Sequence, residues 1–186
     1  MLAYILSDME YQIPLFHALH AQVCKYLADK GFEIIETSIG RDDLTYCRGC
    51  FGCWIKKPGE CVIDDMMTQV NRNFINCDVA IYLTPVVFGQ FSANIKNALD
   101  RWLPNVMPFF ITRPDGSTIH PGRYKSYPRQ IMAAYADGLT DGDMKLFEDI
   151  IKRHRMNVDV VRFDGNQDSF KEALDQIRFG KVGAKL

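Results

Sequence analysis

Residues 79–101 read VAIYLTPVVFGQFSANIKNALDR, and this stretch decides the fold more than any other part of the chain. Val79 to Thr84 is largely apolar, as expected of a parallel strand that is covered on both faces. A loop follows, and Ser92 is placed to cap a helix whose inner stripe begins at Ile95. A buried strand that leads through a loop into a helix is the repeating unit of an α/β domain.

The same alternation continues through the rest of the chain. β-rich runs predict four further strands, at Leu2–Ser7, Phe32–Ile39, Gln130–Ala136 and Val158–Phe163. Helical periodicity follows each strand, which predicts a doubly wound parallel sheet flanked by helices. Five strands favour the 2-1-3-4-5 order of flavodoxin-like folds, whose ligands bind at the carboxyl ends of strands 1 and 3.

Capping signals predict where several helices begin and end. Pro14 suits a first helical position, and Gly31 suits the position just beyond the end of the same helix. Ser169 and Glu172 form a capping-box pattern, so the last helix is expected to begin at Ser169.

The chain length predicts one domain, because 186 residues suffice for a single core. Residues 1–186 are therefore expected to form one flavodoxin-like domain with a cysteine-rich loop at 47–61 and a proline-rich insertion at 103–129. The turn signal Pro114-Asp115-Gly116 predicts a small hairpin inside the insertion. The insertion is interpreted either as a lid or interface, or as a plain surface excursion.

Composition excludes several classes of protein. Hydrophobic residues make up 47% and charged residues 24% of the chain, which is typical of globular domains. The chain has 22 Lys and Arg residues and 23 Asp and Glu residues. Because basic residues are not in excess, the composition does not predict nucleic-acid binding. No apolar run reaches the ~18 residues that a membrane crossing needs, and the chain start lacks the features of a signal peptide. We therefore expect a soluble, cytoplasmic protein.

The segment from Thr84 to Arg101 also carries a family resemblance. It is similar to the Thr-Pro-(Val/Ile)-Tyr-(Trp/Phe)-Gly…Ser-Ala…(Leu/Ile)-Lys…Asp-Arg signature of NAD(P)H-dependent FMN reductases and iron–sulfur flavoproteins, with Val87 in place of the usual aromatic residue. The resemblance extends upstream through Pro58 to Met66. It implies a flavodoxin-like fold, FMN as cofactor, NAD(P)H as electron donor, a small-molecule or protein redox partner, and a homodimer or homotetramer.

The resemblance also implies which residues bind the cofactor. By this resemblance, the loop after the third strand would lie along the isoalloxazine ring and ribityl chain. The loop after the fourth strand lies at the other rim of the switch-point crevice, and it is interpreted either as a rim where Tyr135 stacks near the flavin or as an ordinary turn. No catalytic acid or base is expected, because the redox chemistry belongs to the flavin. The predicted FMN-binding residues are Ser7, Gln12, Thr84, Pro85, Val86, Val87, Phe88, Gly89, Tyr135, Ala136 and Asp137.

The loop after the first strand departs from the family pattern. Related reductases carry Gly-Ser-x-Arg…Asn-Thr there to hold the phosphate, whereas residues 6–13 read LSDMEYQI and only Ser7 matches. Asp8 and Glu10 would repel a phosphate unless they point away. Three alternatives follow: FMN is held by Ser7, Gln12 and a helix N-terminus, FMN binds weakly, or the chain has lost the cofactor.

Four of the six cysteines follow a C-x2-C-x2-C-x7-C spacing, at Cys47, Cys50, Cys53 and Cys61. Such compact spacing is typical of [4Fe–4S] ligation, whereas structural zinc more often uses two separated pairs. The pattern resembles the cysteine motif of iron–sulfur flavoproteins, with these four as matched ligands. A [4Fe–4S] cluster, cluster-free structural or redox-active thiols, and zinc all remain as interpretations. Cys24 and Cys77 are interpreted as small buried hydrophobic residues, and His20 as a surface or packing residue.

Three functions are consistent with these patterns. The first is an FMN-dependent oxidoreductase or electron-transfer flavoprotein with a [4Fe–4S] cluster. The second is a cluster-free NAD(P)H-dependent FMN or quinone reductase, and the third is a flavodoxin-like module that has lost FMN. A phosphoacceptor receiver domain is excluded, because it needs an aspartate where the third strand here ends in Thr84-Pro85.

Overall fold

The computed structural model describes residues 1–154 and 158–183. Short 3-10 turns at Met9–Tyr11 and Leu103–Asn105 accompany the main elements. In chain order these elements are β1 (Leu2–Asp8), α1 (Pro14–Asp29), β2 (Glu33–Ile39), α2 (Gly52–Ile55), α3 (Met67–Asn76), β3 (Val79–Val87), β4 (Gln90–Phe91), α4 (Ala93–Asp100), β5 (Ile111–Thr112), β6 (Thr118–Ile119), β7 (Ser126–Tyr127), β8 (Arg129–Tyr135), α5 (Asp141–His154), β9 (Val158–Arg162), α6 (Gln167–Asp175) and β10 (Val182–Gly183).

The main sheet has the strand order β2-β1-β3-β8-β9, and every pair in this path is parallel. Since β8 and β9 are the fourth and fifth strands of the path along the chain, this is the 2-1-3-4-5 order. The predicted flavodoxin-like fold is confirmed. The strand order reverses between β1 and β3, so the switch point lies at their carboxyl ends.

Two hydrophobic clusters cover the two faces of the sheet. Side chains alternate along β1, so Ala3 and Ile5 lie in one cluster while Tyr4 and Leu6 lie in the other. Helices α1 and α6 cover the first face, and α3, α4 and α5 cover the second. Burial on both faces explains why the central strands are almost continuously apolar.

Two boundaries differ from the sequence prediction by more than one residue, whereas the other predicted strand ends differ by at most one residue. The third strand continues to Val87 instead of ending at Thr84, because β4 folds back and pairs antiparallel with its last residues. The last helix begins at Gln167, so the expected cap at Ser169 was wrong. Asn166 caps the helix by accepting hydrogen bonds from two backbone N–H groups, and asparagine is as good a cap as serine.

Other local predictions are confirmed. Ser92 caps α4 by accepting a hydrogen bond from the backbone N–H of Ile95. The hairpin in the insertion is formed by β5 and β6, which pair antiparallel. Within residues 1–154 and 158–183, none of the helices combines the length and hydrophobicity that a bilayer crossing needs.

Candidate functional site

The carboxyl ends of β1, β3 and β8 lie side by side at the switch point. Ser7 of β1 is paired with Leu83 of β3, and Pro85 of β3 is paired with Tyr135 of β8. The three chain segments that were predicted to bind a cofactor therefore meet at one edge of the sheet. This edge is where doubly wound folds bind their ligands.

The predicted binding residues divide into exposed and buried groups. Side chains that reach the surface fully or in part belong to Gln12, Val87, Phe88, Ala136 and Asp137. Buried residues are Ser7, Thr84, Pro85, Val86, Gly89 and Tyr135. The hydroxyl of Thr84, for example, donates to the backbone carbonyl of Tyr82 at 3.2 Å and is turned into the core. Residues of the second group can meet a ligand only through backbone atoms or by shaping the loop.

Tyr135 takes a different position from the one expected of it. Its side chain is completely buried, its ring lies 5.9 Å from the ring of Phe16, and its hydroxyl donates to the carbonyl of Tyr11 at 2.9 Å. Burial raises the pKa of this phenol well above its usual range. This arrangement does not permit the Tyr135 ring to stack on a ligand, and it ties β8 to the turn that follows β1.

The turn between β3 and β4 consists of Phe88 and Gly89, since Val87 pairs with Gln90. Both turn residues have positive φ, +50° and +70°, as in a type I′ turn, where Asn-Gly is preferred. A phenylalanine in this region is strained by about 1–3 kcal/mol. Its ring is 94% exposed, so a strained turn presents an aromatic surface at the switch point. Strain of this kind is typical of functional sites.

The carboxylate of Asp8 is held inside the structure at the end of β1, where it accepts a hydrogen bond from the backbone N–H of Glu10 at 2.9 Å. Its completely buried carboxylate accepts hydrogen bonds from Ser92 Oγ at 2.5 Å and from Asn94 Nδ2 at 3.0 Å. These donors begin α4, which lies on the opposite face of the sheet from α1, and a helix N-terminus favours negative charge. Glu10 pairs with Arg41 at 3.6 Å. Each of the two acidic residues that argued against an anion at this loop therefore has partners of its own: Asp8 has the start of α4 and the N–H of Glu10, and Glu10 has Arg41.

Replacing Asp8 with alanine is expected to lower the free energy of unfolding by about 2–3 kcal/mol, because two buried donors lose a charged acceptor. Urea unfolding checks this value. Asp42→Ala is the matched control, since Asp42 is exposed and the change should stay within about 0.5 kcal/mol. Equal stabilities of the two variants would contradict the assigned role of Asp8.

The four clustered cysteines, Cys47, Cys50, Cys53 and Cys61, line one pocket and are all free thiols. Burial, and then the charge of the three neighbouring cysteines, raises the pKa of the Cys53 thiol. In the described part of the chain, no three of these sulfurs lie within 4.8 Å of one another. A single tetrahedral zinc ion would need sulfurs about 3.8 Å apart. In the described residues, these thiols therefore do not form a preformed site for a single zinc ion.

Aromatic contacts hold the cysteine loop against the insertion. Phe51, with φ of +53°, stacks on Trp54 at 5.4 Å. The indole N–H of Trp54 donates to the carbonyls of Leu103 and Val106, both at 3.0 Å. The insertion therefore supports the loop that carries the cysteines.

Arg101 lies beneath the cysteine pocket and is only 2% exposed. Its guanidinium donates to the carbonyl of Thr45 at 2.9 Å and to Cys61 Sγ at 3.2 Å, and it forms an ion pair with Asp65. It thus joins the end of α4 to both ends of the cysteine loop. The sequence prediction treated Arg101 only as the last residue of the signature and gave Asp65 no part in the site. The available signal for this ion pair was an arginine at the end of a helix that carries a buried apolar stripe.

The Arg101–Asp65 pair predicts a pH dependence of stability. Although burial alone would raise the pKa of Asp65, Arg101 and the N–H groups of Thr45 and Met67 lower it below its usual value. A folded-state pKa below the unfolded value of ~3.9 gives stability that is present at higher pH and is lost as pH falls through the folded pKa. The stability difference between wild type and Asp65→Asn should therefore shrink between about pH 5 and about pH 3, as urea unfolding would show. A constant difference would contradict the assignment.

Comparison with known proteins agrees with this geometry. The model of the NADPH-dependent FMN reductase family matches residues 17–112. An iron-sulfur flavoprotein of Archaeoglobus fulgidus is 36% identical over 80 residues, which are 43% of this chain and 36% of the relative. One from Methanocaldococcus jannaschii is 37% identical over 76 residues, or 41% and 38% of the two chains. The matched segments thus span less than half of these relatives.

Solved structures share the fold at low sequence identity. The NAD(P)H:quinone oxidoreductase from Methanothermobacter marburgensis has a TM-score of 0.63 at 12% identity, with 95% of this chain and 92% of that chain covered. An azoreductase from Bacillus anthracis has a TM-score of 0.59 at 11% identity, with 95% and 96% covered. The family match covers the cysteine loop, all of β3 and the Phe88–Gly89 turn. The chain therefore belongs to the NADPH-dependent FMN reductase family.

Proposed function

We propose that this protein is an NAD(P)H-dependent FMN oxidoreductase that binds its flavin at the carboxyl ends of β1, β3 and β8. The observation that carries the proposal is the strained turn at Phe88, which presents an exposed aromatic ring at the switch point within the matched family segment. When bound, FMN supplies hydride and single-electron chemistry, and the protein contributes binding and orientation.

On the ring side of the site, two loops contact the flavin. Phe88 and Val87 offer an apolar surface against which a planar ring packs. Ala136 and Asp137 form the opposite rim, in the loop that follows β8. Thr84, Pro85, Val86, Gly89 and Tyr135 act through the backbone and the shape of these loops.

On the phosphate side, the N-terminus of α1 binds the anion. This helix begins at Pro14, and no side chain caps it, so the N–H groups of its first turn remain for a phosphate. Gln12 is exposed beside it, and the hydroxyl of Ser7 is hydrogen-bonded to that of Ser38 at 2.7 Å. The partners of Asp8 and Glu10 support this assignment, because hydrogen bonds and an ion pair offset part of the negative charge of these carboxylates.

The four cysteines of the pocket would hold a [4Fe–4S] cluster, which would supply single-electron chemistry toward a small-molecule or protein partner. The donor set fits the cluster in number and type, because four thiols line one pocket. Arg101 beneath the pocket and Arg48 at its rim offset the negative charge of four thiolates. Cys47 and Cys50 are exposed, so two of the four proposed ligands lie at the surface.

The rest of the assignment concerns assembly and location. Residues 1–186 form one domain, with the cysteine loop at 47–61 and the insertion at 103–129 as its additions. The chain assembles as a homodimer or homotetramer, which exposed Phe109 and Phe110 of the insertion support, since neighbouring exposed aromatic residues are typical of interfaces. Light scattering after size exclusion tests the assembly.

Six free thiols support a reducing, cytoplasmic location.

The visible spectrum of anaerobically purified protein tests the function. Flavin bands together with broad cluster absorbance are expected, and addition of NADPH should bleach the flavin bands. Flavin bands alone would favour a cluster-free NAD(P)H-dependent FMN or quinone reductase. The absence of flavin bands after reconstitution with FMN would overturn the proposal.

Phe88→Asn is expected to change stability and binding in opposite directions. Asparagine suits the first position of a type I′ turn, so the free energy of unfolding should rise by about 1 kcal/mol. The loss of the ring should weaken FMN binding by up to about tenfold. Urea unfolding and flavin titration measure the two effects. Tyr46→Asn, which removes an exposed aromatic ring outside the turn, is the control and should change neither value.

A further inference from the structure

Three potential metal ligands meet between the middle of α1 and the edge strand β2. His20 and Cys24 are four residues apart and therefore lie on one face of α1. Glu36 of β2 faces them across the helix–strand interface, at the free edge of the sheet. One donor atom from each of the three lies within 4.8 Å of the other two.

The distances are close to those of a tetrahedral site. Cys24 Sγ lies 3.6 Å from His20 Nε2 and 3.7 Å from Glu36 Oε1, while His20 Nε2 lies 2.6 Å from Glu36 Oε2. Zinc–ligand bonds of 2.0–2.3 Å at tetrahedral angles separate donor atoms by about 3.3–3.8 Å. Two of the three separations already match. The third has to open by roughly 1 Å, which a rotation of the exposed Glu36 carboxylate supplies.

We propose that His20, Cys24 and Glu36 bind a divalent cation of the zinc type, at a site separate from the four-cysteine pocket. The imidazole and thiolate donors suit zinc better than magnesium or calcium, which prefer oxygen ligands. One thiolate and one carboxylate together balance the double charge of the ion. The fourth position faces solvent and is taken by water, because His20 and Glu36 are both partly exposed.

Two neighbouring features support the site. The ring of Phe16, one turn before His20 on α1, stacks on the imidazole at 5.8 Å with an interplanar angle of 26° and restricts its orientation. Without metal, the Cys24 thiol donates its proton in a hydrogen bond to Glu36 Oε1 at 3.7 Å. Binding of the cation forms the metal–sulfur bond and releases this proton to the solvent.

Occupancy of the site would connect α1 to the edge strand β2 and would shield the Cys24 thiol from reaction. The sequence did not indicate this site. The end of α1 and the loop to β2 separate His20 and Cys24 from Glu36, and a histidine and a cysteine four residues apart are by themselves an ordinary helical pattern. The inference does not depend on flavin or cluster binding, since none of the three residues belongs to either site.

The test is the rate at which iodoacetamide alkylates Cys24, measured with and without Zn²⁺ on the whole chain as purified. The tryptic peptide ending at Lys25 contains Cys24 and no other cysteine, so mass spectrometry separates it from the four-cysteine pocket. Alkylation should slow by about tenfold when free Zn²⁺ is about ten times its dissociation constant. His20→Gln and Glu36→Gln should each abolish this protection.

His17→Gln is the matched control, because His17 is an exposed histidine of the same helix and should leave the protection intact. Circular dichroism checks that each variant is folded. Because His20→Gln and Glu36→Gln are tested separately, the experiment remains valid if one of them does not fold. If zinc leaves the rate of Cys24 alkylation in the wild type unchanged, the proposal is overturned. This holds also if zinc binds to the protein but only at the four-cysteine pocket. Equal protection in the wild type and in both folded ligand variants would overturn it as well.

Discussion

Replacing Arg101 with methionine is expected to lower the free energy of unfolding by about 3–5 kcal/mol, because the change leaves the largely buried Asp65 charged and without its partner. The same change removes the donors to Thr45 and Cys61. Both ends of the cysteine loop therefore lose their connection to α4. Urea unfolding of the purified variant measures the effect.

Two further variants separate the ion pair from a general loss of packing. Arg72→Met, at an exposed position of α3, should change stability by less than about 0.5 kcal/mol. The double change Arg101→Met with Asp65→Leu should recover part of the loss, because no uncompensated charge remains. If Arg101→Met were as stable as Arg72→Met, the central role of this guanidinium would be refuted.

Cys53→Ala should abolish iron binding, because the most buried ligand of the proposed cluster is lost. Reconstituted wild-type protein is expected to contain about four irons per chain, and the variant close to none. Iron and sulfide analysis after anaerobic reconstitution measures this. Cys77→Ala is the matched control, since Cys77 is also a buried free cysteine but lies outside the cysteine pocket, and its removal should leave the iron content unchanged. Less than one iron per wild-type chain would rule out the cluster.

The sequence predicted those features that depend on neighbouring residues. The apolar run from Val79 marks a buried strand, Ser92 caps α4, and Pro14 begins α1, each for a local physical reason. The alternation of strands and helices then leaves few topologies, because parallel crossovers share one hand. The fold and the position of the switch point followed from these signals.

The direction of individual side chains could not be predicted in this way. Asp8 turns toward Ser92 and Asn94 because these donors lie across the sheet, more than eighty residues away along the chain. Tyr135 is buried because Phe16 and Tyr11 contact it from another segment. Such long-range contacts exist only in the folded structure. For this reason the sequence indicated the edge that forms the site but not which side chains face it.

Titration of FMN fluorescence with the apoprotein tests the central claim most directly. Saturable quenching with one FMN bound per chain is predicted, because the Phe88 turn, the rim after β8 and the uncapped start of α1 together complete the site. FMN fluorescence that remains unquenched at high micromolar protein would contradict the account and would leave a flavodoxin-like module without its cofactor.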